Sequence, residues 1–123
     1  MITEDYVNFE IAKLLKERGF DWNCESKRFY PEPDYDQESP DGVCAPTLQM
    51  GMKWLREVHR LHVEVVPKPF SFEHQDIQDG WGCEVMHLSD LSYDSDYEFF
   101  QKKYSTYEQA CEAAIKYCLE NLI

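Results

Sequence analysis

The segment of residues 47–66, TLQMGMKWLREVHRLHVEVV, constrains the fold more than any other part of the chain. Its apolar residues follow a helical period up to about Arg60, and they then alternate with polar residues as in a half-buried strand. A helix that runs almost directly into a strand has to pack against it. The sequence therefore predicts a helix–strand pair at the centre of a two-layer domain.

The residues before this pair predict one helix and one weak hairpin. Residues 3–18 have an apolar stripe of helical spacing, with Thr3 as the N-terminal cap and Gly19 as the left-handed stop. Residues 20–30 have the composition of two short extended pieces, which favours a weak hairpin. Residues 31–45 contain three prolines and an Asp-Gly pair, which indicates a loop.

The residues from the central pair onward predict a helix, three strands and a last helix. The first of these helices is predicted over residues 46–59 and begins near Pro46. The strands are predicted over residues 61–66, 81–88 and 97–101. Ser105 and Glu108 form the capping box of the final helix. Pro67 and Pro69 are expected to stop the first of these strands. Because the connections are too short for parallel crossovers, we expect an antiparallel meander.

The predicted fold class is therefore α+β, a two-layer sandwich with an antiparallel sheet of three to four strands and about three helices. The 123 residues favour a single domain, 1–123. No apolar run is long enough to span a membrane, and the acidic start MITEDYVNFE is unlike a signal peptide. The five cysteines follow no disulfide spacing, so we expect a cytoplasmic protein.

The charge of the chain is strongly negative. It contains 24 acidic and 12 basic residues, which gives a net charge of −12. Because nucleic acid binding depends on lysines and arginines that neutralise phosphates, this balance opposes it. The acid excess fits either a device for solubility or a negative surface that meets a basic protein.

Two acidic segments that contain tyrosines are the candidate binding surface. The stretch from residue 69 to residue 101 has eight acids and no lysine or arginine. Tyrosine supplies contact area and carboxylates attract basic side chains, so this pattern is typical of a docking surface for a basic protein. The sequence predicts exposed turns here, with these candidate binding residues: Tyr35, Asp36, Tyr93, Asp94, Asp96 and Tyr97.

A basic stripe on the second helix is the alternative site. Lys53, Arg56 and Arg60 could contact a small anionic ligand, although no glycine-rich loop precedes the helix. A third hypothesis is a metal- or thiol-dependent enzyme. His62 and Glu64 share a strand face that His87 could join, but they lack a recognised ligand spacing. We therefore expect no metal and no cofactor, and we expect core packing for the cysteines of the last helix.

Two resemblances bear on the chain. The order helix, three strands, helix over residues 46–121 resembles the double-stranded-RNA-binding domain, but Tyr107, Glu108 and Gln109 replace the lysines of that family's last helix, so RNA binding is not expected.

The second resemblance is to small acidic proteins from gut Bacteroides genomes and their phages or mobile elements. The stretches that carry it are ITEDYVNFEIAKLLKERGFD, APTLQMGMKWLREVHRLHVEV and YEQACEAAIKYCLENLI. This resemblance implies no particular activity and no site residues, but a phage or mobile-element context favours a role in contacting host proteins.

Overall fold

The computed structural model describes residues 6–22, 28–30, 43–69 and 78–123, and their fold is α+β, as predicted. The elements follow one another in this order: α1 (Phe9–Glu17), β1 (Arg28–Tyr30), β2 (Val43–Ala45), α2 (Leu48–Val58), β3 (Leu61–Pro69), β4 (Gln78–His87), β5 (Ser92–Tyr93), α3 (Tyr97–Phe100) and α4 (Tyr107–Asn121). Strands β3, β4 and β5 form the predicted antiparallel meander, and β1 pairs with β2 in a separate antiparallel ladder. No helix in the described ranges is long and apolar enough to cross a membrane.

The predicted helix–strand pair is present as α2 and β3. The hydroxyl of Thr47 caps α2 by accepting a hydrogen bond from a backbone N–H of the first turn at 3.1 Å. Pro46 therefore lies just before the cap and not in the first turn. At the other end, His59 caps the helix and Arg60 adopts a φ of 59°, which turns the chain directly into β3.

The helices pack on one face of the meander. Leu61 and Val85 are buried on that face, and α2 and α4 both contact it. The buried residues of α4 are Ala110, Cys111, Ala114, Ile115, Tyr117, Cys118 and Leu119. This confirms the predicted packing of the last helix. Burial raises the pKa of Cys111 to about 11 and that of Cys118 to about 12, so both are neutral thiols at neutral pH.

Helix α1 is shorter than predicted at its start. Asn8 caps it through a 2.9 Å hydrogen bond from the backbone, whereas the predicted cap, Thr3, lies outside the described residues. The predicted stop is confirmed, because Gly19 has a φ of 96°. The Phe20 N–H donates to the Leu15 carbonyl at 2.9 Å, as in a Schellman motif.

The hairpin predicted within residues 20–30 is wrong. Strand β1 pairs with β2, so Phe29 lies opposite Cys44 and the partner strand begins at Val43. Residues 23–27 and 31–42 lie outside the described part of the chain. The composition of residues 20–30 favoured a local partner, but β1 pairs instead with the more distant apolar residues of β2.

Two further strand predictions are wrong. Strand β3 continues past Pro67, because β3 is an edge strand of the meander and a proline nitrogen can face the open edge there. Residues 97–101 are not the third strand. That strand is β5, and residues 97–100 form the single turn of α3, because the Asp96 side chain accepts a hydrogen bond from the Phe99 N–H at 3.2 Å.

The start of α4 lies one residue later than predicted. Thr106, not Ser105, is the cap, and its side chain accepts a hydrogen bond from the Gln109 N–H at 3.1 Å. The Gln109 side chain in turn accepts from the Ser105 N–H at 3.1 Å. Gln109 therefore takes the place predicted for Glu108, although its side chain bonds the N–H of the residue before the cap and not that of the cap itself.

Candidate interaction surface on the acidic hairpin

The turn between β4 and β5, together with the residues that lead to α3, forms a surface that we call the acidic hairpin, residues 88–96. Asp90 orders its tip, because one carboxylate oxygen accepts hydrogen bonds from the Ser92 N–H at 3.1 Å and from the Ser92 hydroxyl at 2.6 Å. These two bonds lower the pKa of Asp90. Leu91, which lies between Asp90 and Ser92, adopts a φ of 58°. A residue other than glycine costs about 1 kcal/mol in this conformation.

Large apolar side chains are exposed on the acidic hairpin. Leu91 is 71% exposed and Tyr93 is 53% exposed. The exposed carboxylates on and beside the hairpin belong to Asp90, Asp96 and Glu98. An apolar centre with a charged rim is the arrangement of a protein–protein interface, and the sign of this rim suits a basic partner.

Asp94 attaches the acidic hairpin to the rest of the fold. Its carboxylate bonds His87 Nε2 at 2.8 Å and accepts a hydrogen bond from the Tyr117 hydroxyl at 2.5 Å, and its backbone N–H donates to the Val85 carbonyl at 2.8 Å. Burial acts to raise the pKa of Asp94, but the hydrogen bonds from Tyr117 and His87 outweigh it and lower the pKa overall. Asp94 is therefore ionised at neutral pH.

We call His87, Asp94 and Tyr117 the Asp94 clamp. The ring of Tyr117 stacks on Phe99 of α3 with their centroids 4.2 Å apart and their planes 23° apart. Burial and the neighbouring Asp94 carboxylate raise the pKa of Tyr117, so its hydroxyl stays a donor. The clamp joins β4, the hairpin, α3 and α4. A partner would thus meet an ordered surface, which reduces the entropy lost on binding.

The structure places three of the predicted binding residues on the acidic hairpin. Tyr93 lies on β5 with its ring exposed. Asp96 is exposed, and its side chain also caps α3. Asp94 differs from the expectation of an exposed turn, because its side chain is only 14% exposed and is held in the clamp. Its role in the fold is structural.

The side chains of the other three predicted binding residues lie outside the described part of the chain. Tyr97 is the first residue of α3, but its side chain is not described. Tyr35 and Asp36 lie outside the described residues. Sequence reasoning missed Leu91, whose exposure follows from its turn position. The run of serines and aspartates in residues 89–96 was a turn signal that could have pointed to it.

The chain matches no known protein-family model, and no curated protein and no solved structure is similar to it.

The basic stripe runs from the middle of α2 to just beyond its carboxyl end, where Arg56 and Arg60 lie. Lys53 and Arg60 are exposed and Arg56 is partly exposed. The carboxyl end of a helix carries partial negative charge, which stabilises cations and disfavours a bound anion. This placement suits solvated basic side chains better than the alternative anion site.

The histidines do not form the metal group considered from the sequence. His62 Nε2 lies 3.5 Å from Glu64 Oε1, and both residues alternate away from the helix-bearing face. His87 pairs with Leu61, so it lies on the opposite face of the sheet and bonds Asp94. Among the residues that the structure describes, no group of three or more histidine, cysteine or acidic side chains could hold a metal ion.

Proposed function

We propose that this protein is a small binding protein without catalytic activity, and that it docks its acidic hairpin on a basic surface of another protein. The observation that carries this proposal is Leu91, a large apolar side chain that is 71% exposed in a backbone conformation that favours glycine or asparagine. A residue selected only for the turn would be smaller and polar. Burial against a partner would account for an exposed leucine at this position.

The surroundings of Leu91 support the same proposal. Tyr93 adds a second exposed apolar surface, and aromatic side chains of this kind are frequent anchors of interfaces. The acids around them would attract a basic partner and speed its association, and this attraction would weaken as salt rises. From the cysteine pattern we place this activity in the cytoplasm, and from the resemblance described above we place it in a phage or mobile-element context.

The test is affinity capture from a lysate of the cell that encodes the protein, at two salt concentrations. Tyr93→Ala should lower the amount of captured partner by about tenfold or more, which is the size of an interface anchor. Leu91→Asn should do the same while the turn is kept, because asparagine tolerates the positive φ. The matched control is Val58→Ala, which trims another exposed apolar side chain on α2.

Three results would decide against the proposal. The first is a captured partner that is acidic. The second is capture that is unchanged by Leu91→Asn and Tyr93→Ala. The third is capture that is lost only with Arg56→Ala, since that result would point to the basic stripe and to the alternative of an anionic ligand.

A further inference from the structure

The face of the meander opposite the helices carries a row of residues of which only Tyr93 belongs to the acidic hairpin. The register places Glu64 opposite Glu84, and Met86 opposite both His62 and Tyr93. Because residues directly opposite each other share a face, these side chains lie together on one surface. We call it the outer face: His62, Glu64, Val66, Glu84, Met86 and Tyr93.

Two like charges meet on this face. Side chains directly opposite each other in an antiparallel pair have Cβ atoms about 5 Å apart, and like charges in such a pair destabilise the sheet. Within the described part of the chain, no lysine or arginine lies within ion-pair distance of Glu64 or Glu84, and His62 is 3.5 Å from Glu64. Lys68 is the next basic position along β3, about 13 Å further on at the usual rise of a strand.

The outer face is continuous with the acidic hairpin. Tyr93 belongs to both surfaces, because it lies on β5 next to the turn and opposite Met86 of β4. Met86 separates Tyr93 from His62 on the neighbouring strand. An apolar patch of Tyr93 and Met86 therefore borders the pair of carboxylates.

We propose that the partner's docking segment crosses from the acidic hairpin onto the outer face and seats an arginine between Glu64 and Glu84. This inference rests on the proposed function and deepens it by naming the partner's chemistry, a basic segment in which an apolar side chain accompanies the arginine. A guanidinium has donors on several edges and can bond two carboxylates at once. The apolar neighbour packs on Met86 and Tyr93. The bound arginine removes the repulsion that the free protein carries.

The probe is a short synthetic peptide in which arginine and leucine alternate, titrated into the isotopically labelled protein and followed by NMR. We expect saturable shifts at the amides of the outer face and the hairpin. Glu64→Gln and Glu84→Gln should each raise the Kd at least fivefold. Glu120→Gln removes the same charge from the exposed side of α4 and is the matched control, with a change below twofold. A peptide with citrulline in place of arginine should not bind.

A stability measurement separates this role from a structural one. Glu64→Gln and Glu84→Gln should raise the Tm by about 1–4 °C while they weaken the peptide, because each relieves the repulsion. Glu120→Gln should leave the Tm unchanged. A glutamate variant that loses both stability and binding would show a structural role instead and would overturn the inference.

The outcomes also distinguish this inference from the proposed function. If Leu91→Asn abolishes binding while Glu64→Gln and Glu84→Gln match the Glu120→Gln control, the arginine site is refuted and the hairpin remains. If shifts spread evenly over all acidic positions, or if millimolar peptide gives no shift on the outer face, the arginine site is likewise refuted. If no substitution on either surface changes binding, both proposals fail.

Discussion

Removal of the Tyr117 hydroxyl tests the Asp94 clamp directly. Tyr117→Phe keeps the ring that stacks on Phe99 and deletes the 2.5 Å hydrogen bond to the Asp94 carboxylate. A hydrogen bond to a charged group contributes about 1.5–3 kcal/mol to stability. Because Asp94 is 14% exposed and keeps its bond to His87, we expect the lower part of this range, about 1.5–2 kcal/mol.

The assay is urea unfolding at several pH values. At pH 7 the midpoint should fall by about 0.5–2 M urea, since the slope for a small protein is about 1–3 kcal/mol per molar. The folded-state pKa of Asp94 is lowered, so the ionised carboxylate contributes stability above its unfolded pKa of about 3.9, and this contribution is lost as pH falls through the lowered folded-state pKa. Tyr117→Phe removes one cause of that lowering. The difference in the free energy of unfolding between the wild-type protein and Tyr117→Phe should therefore become smaller below about pH 4.

A matched control distinguishes the clamp from a general effect of tyrosine. Tyr93→Phe deletes an exposed hydroxyl on the same hairpin and should change the free energy of unfolding by less than about 0.5 kcal/mol. If Tyr117→Phe is equally harmless, the hydrogen bond does not support the fold. If its effect stays constant from pH 7 to pH 3, the carboxylate is not the group through which it acts.

Substitutions at three further positions test the packing of the fold. Ile115→Asp should unfold the protein, as circular dichroism would show. Ile115 is fully buried in α4, and the free-energy cost of burying an unpaired charge approaches the whole stability of a domain. The control Ile115→Val should cost only about 0.5–1.5 kcal/mol of stability. Gly80→Ala should lower stability by about 1–3 kcal/mol in thermal unfolding, because the added Cβ would lie 2.6 Å from the Tyr104 carbonyl oxygen. His59→Phe keeps the edge contact with Trp54 and removes Nε2, which is buried and has no hydrogen-bond partner among the described residues. Burial lowers the folded-state pKa of His59, so the wild-type protein should lose stability as pH falls below about 6.5, and unfolding at pH 7.5 and 5.5 should show a smaller loss in the variant.

The parts of the fold that were predictable from sequence are those that local patterns determine. The continuous helix–strand segment, the left-handed Gly19 and the apolar face of α4 each follow from the spacing of neighbouring residues, and each is present. The predicted hairpin was wrong because β1 pairs with β2, which lies beyond residues 31–42 in the sequence, a choice that no local pattern encodes. The strand predicted over residues 97–101 was wrong because so short a run of apolar and acidic residues fits a strand or a helical turn equally well. The hydrogen bond that the Asp96 side chain accepts from the Phe99 N–H stabilises the helical turn.

The candidate site was predictable in its location but not in the roles of its residues. The tyrosines and acids of residues 90–98 pointed to this hairpin, and Tyr93 is exposed there. The role of Asp94 could not be read from its neighbours, because its partner Tyr117 lies 23 positions away on α4. Likewise, the meeting of Glu64 and Glu84 depends on the register of β3 and β4, which only the folded chain defines.

The competing explanation is that the acid excess serves only solubility. A net charge of −12 satisfies that need wherever the acids lie, and it requires neither an exposed leucine nor two glutamates opposite each other. Leu91 exposes apolar surface in an unfavourable backbone conformation, and the pair of Glu64 and Glu84 repels itself. If solubility alone mattered, we would expect asparagine or glycine in place of Leu91. We would likewise expect lysine or threonine in place of one of the two glutamates. Leu91 and the pair of glutamates lie on adjoining surfaces, and the Asp94 clamp attaches the first of these surfaces to the rest of the fold. A basic partner with an apolar side chain would cover the exposed surface of Leu91 and neutralise the repulsion between the two glutamates. For this reason we favour binding over solubility as the explanation of both features.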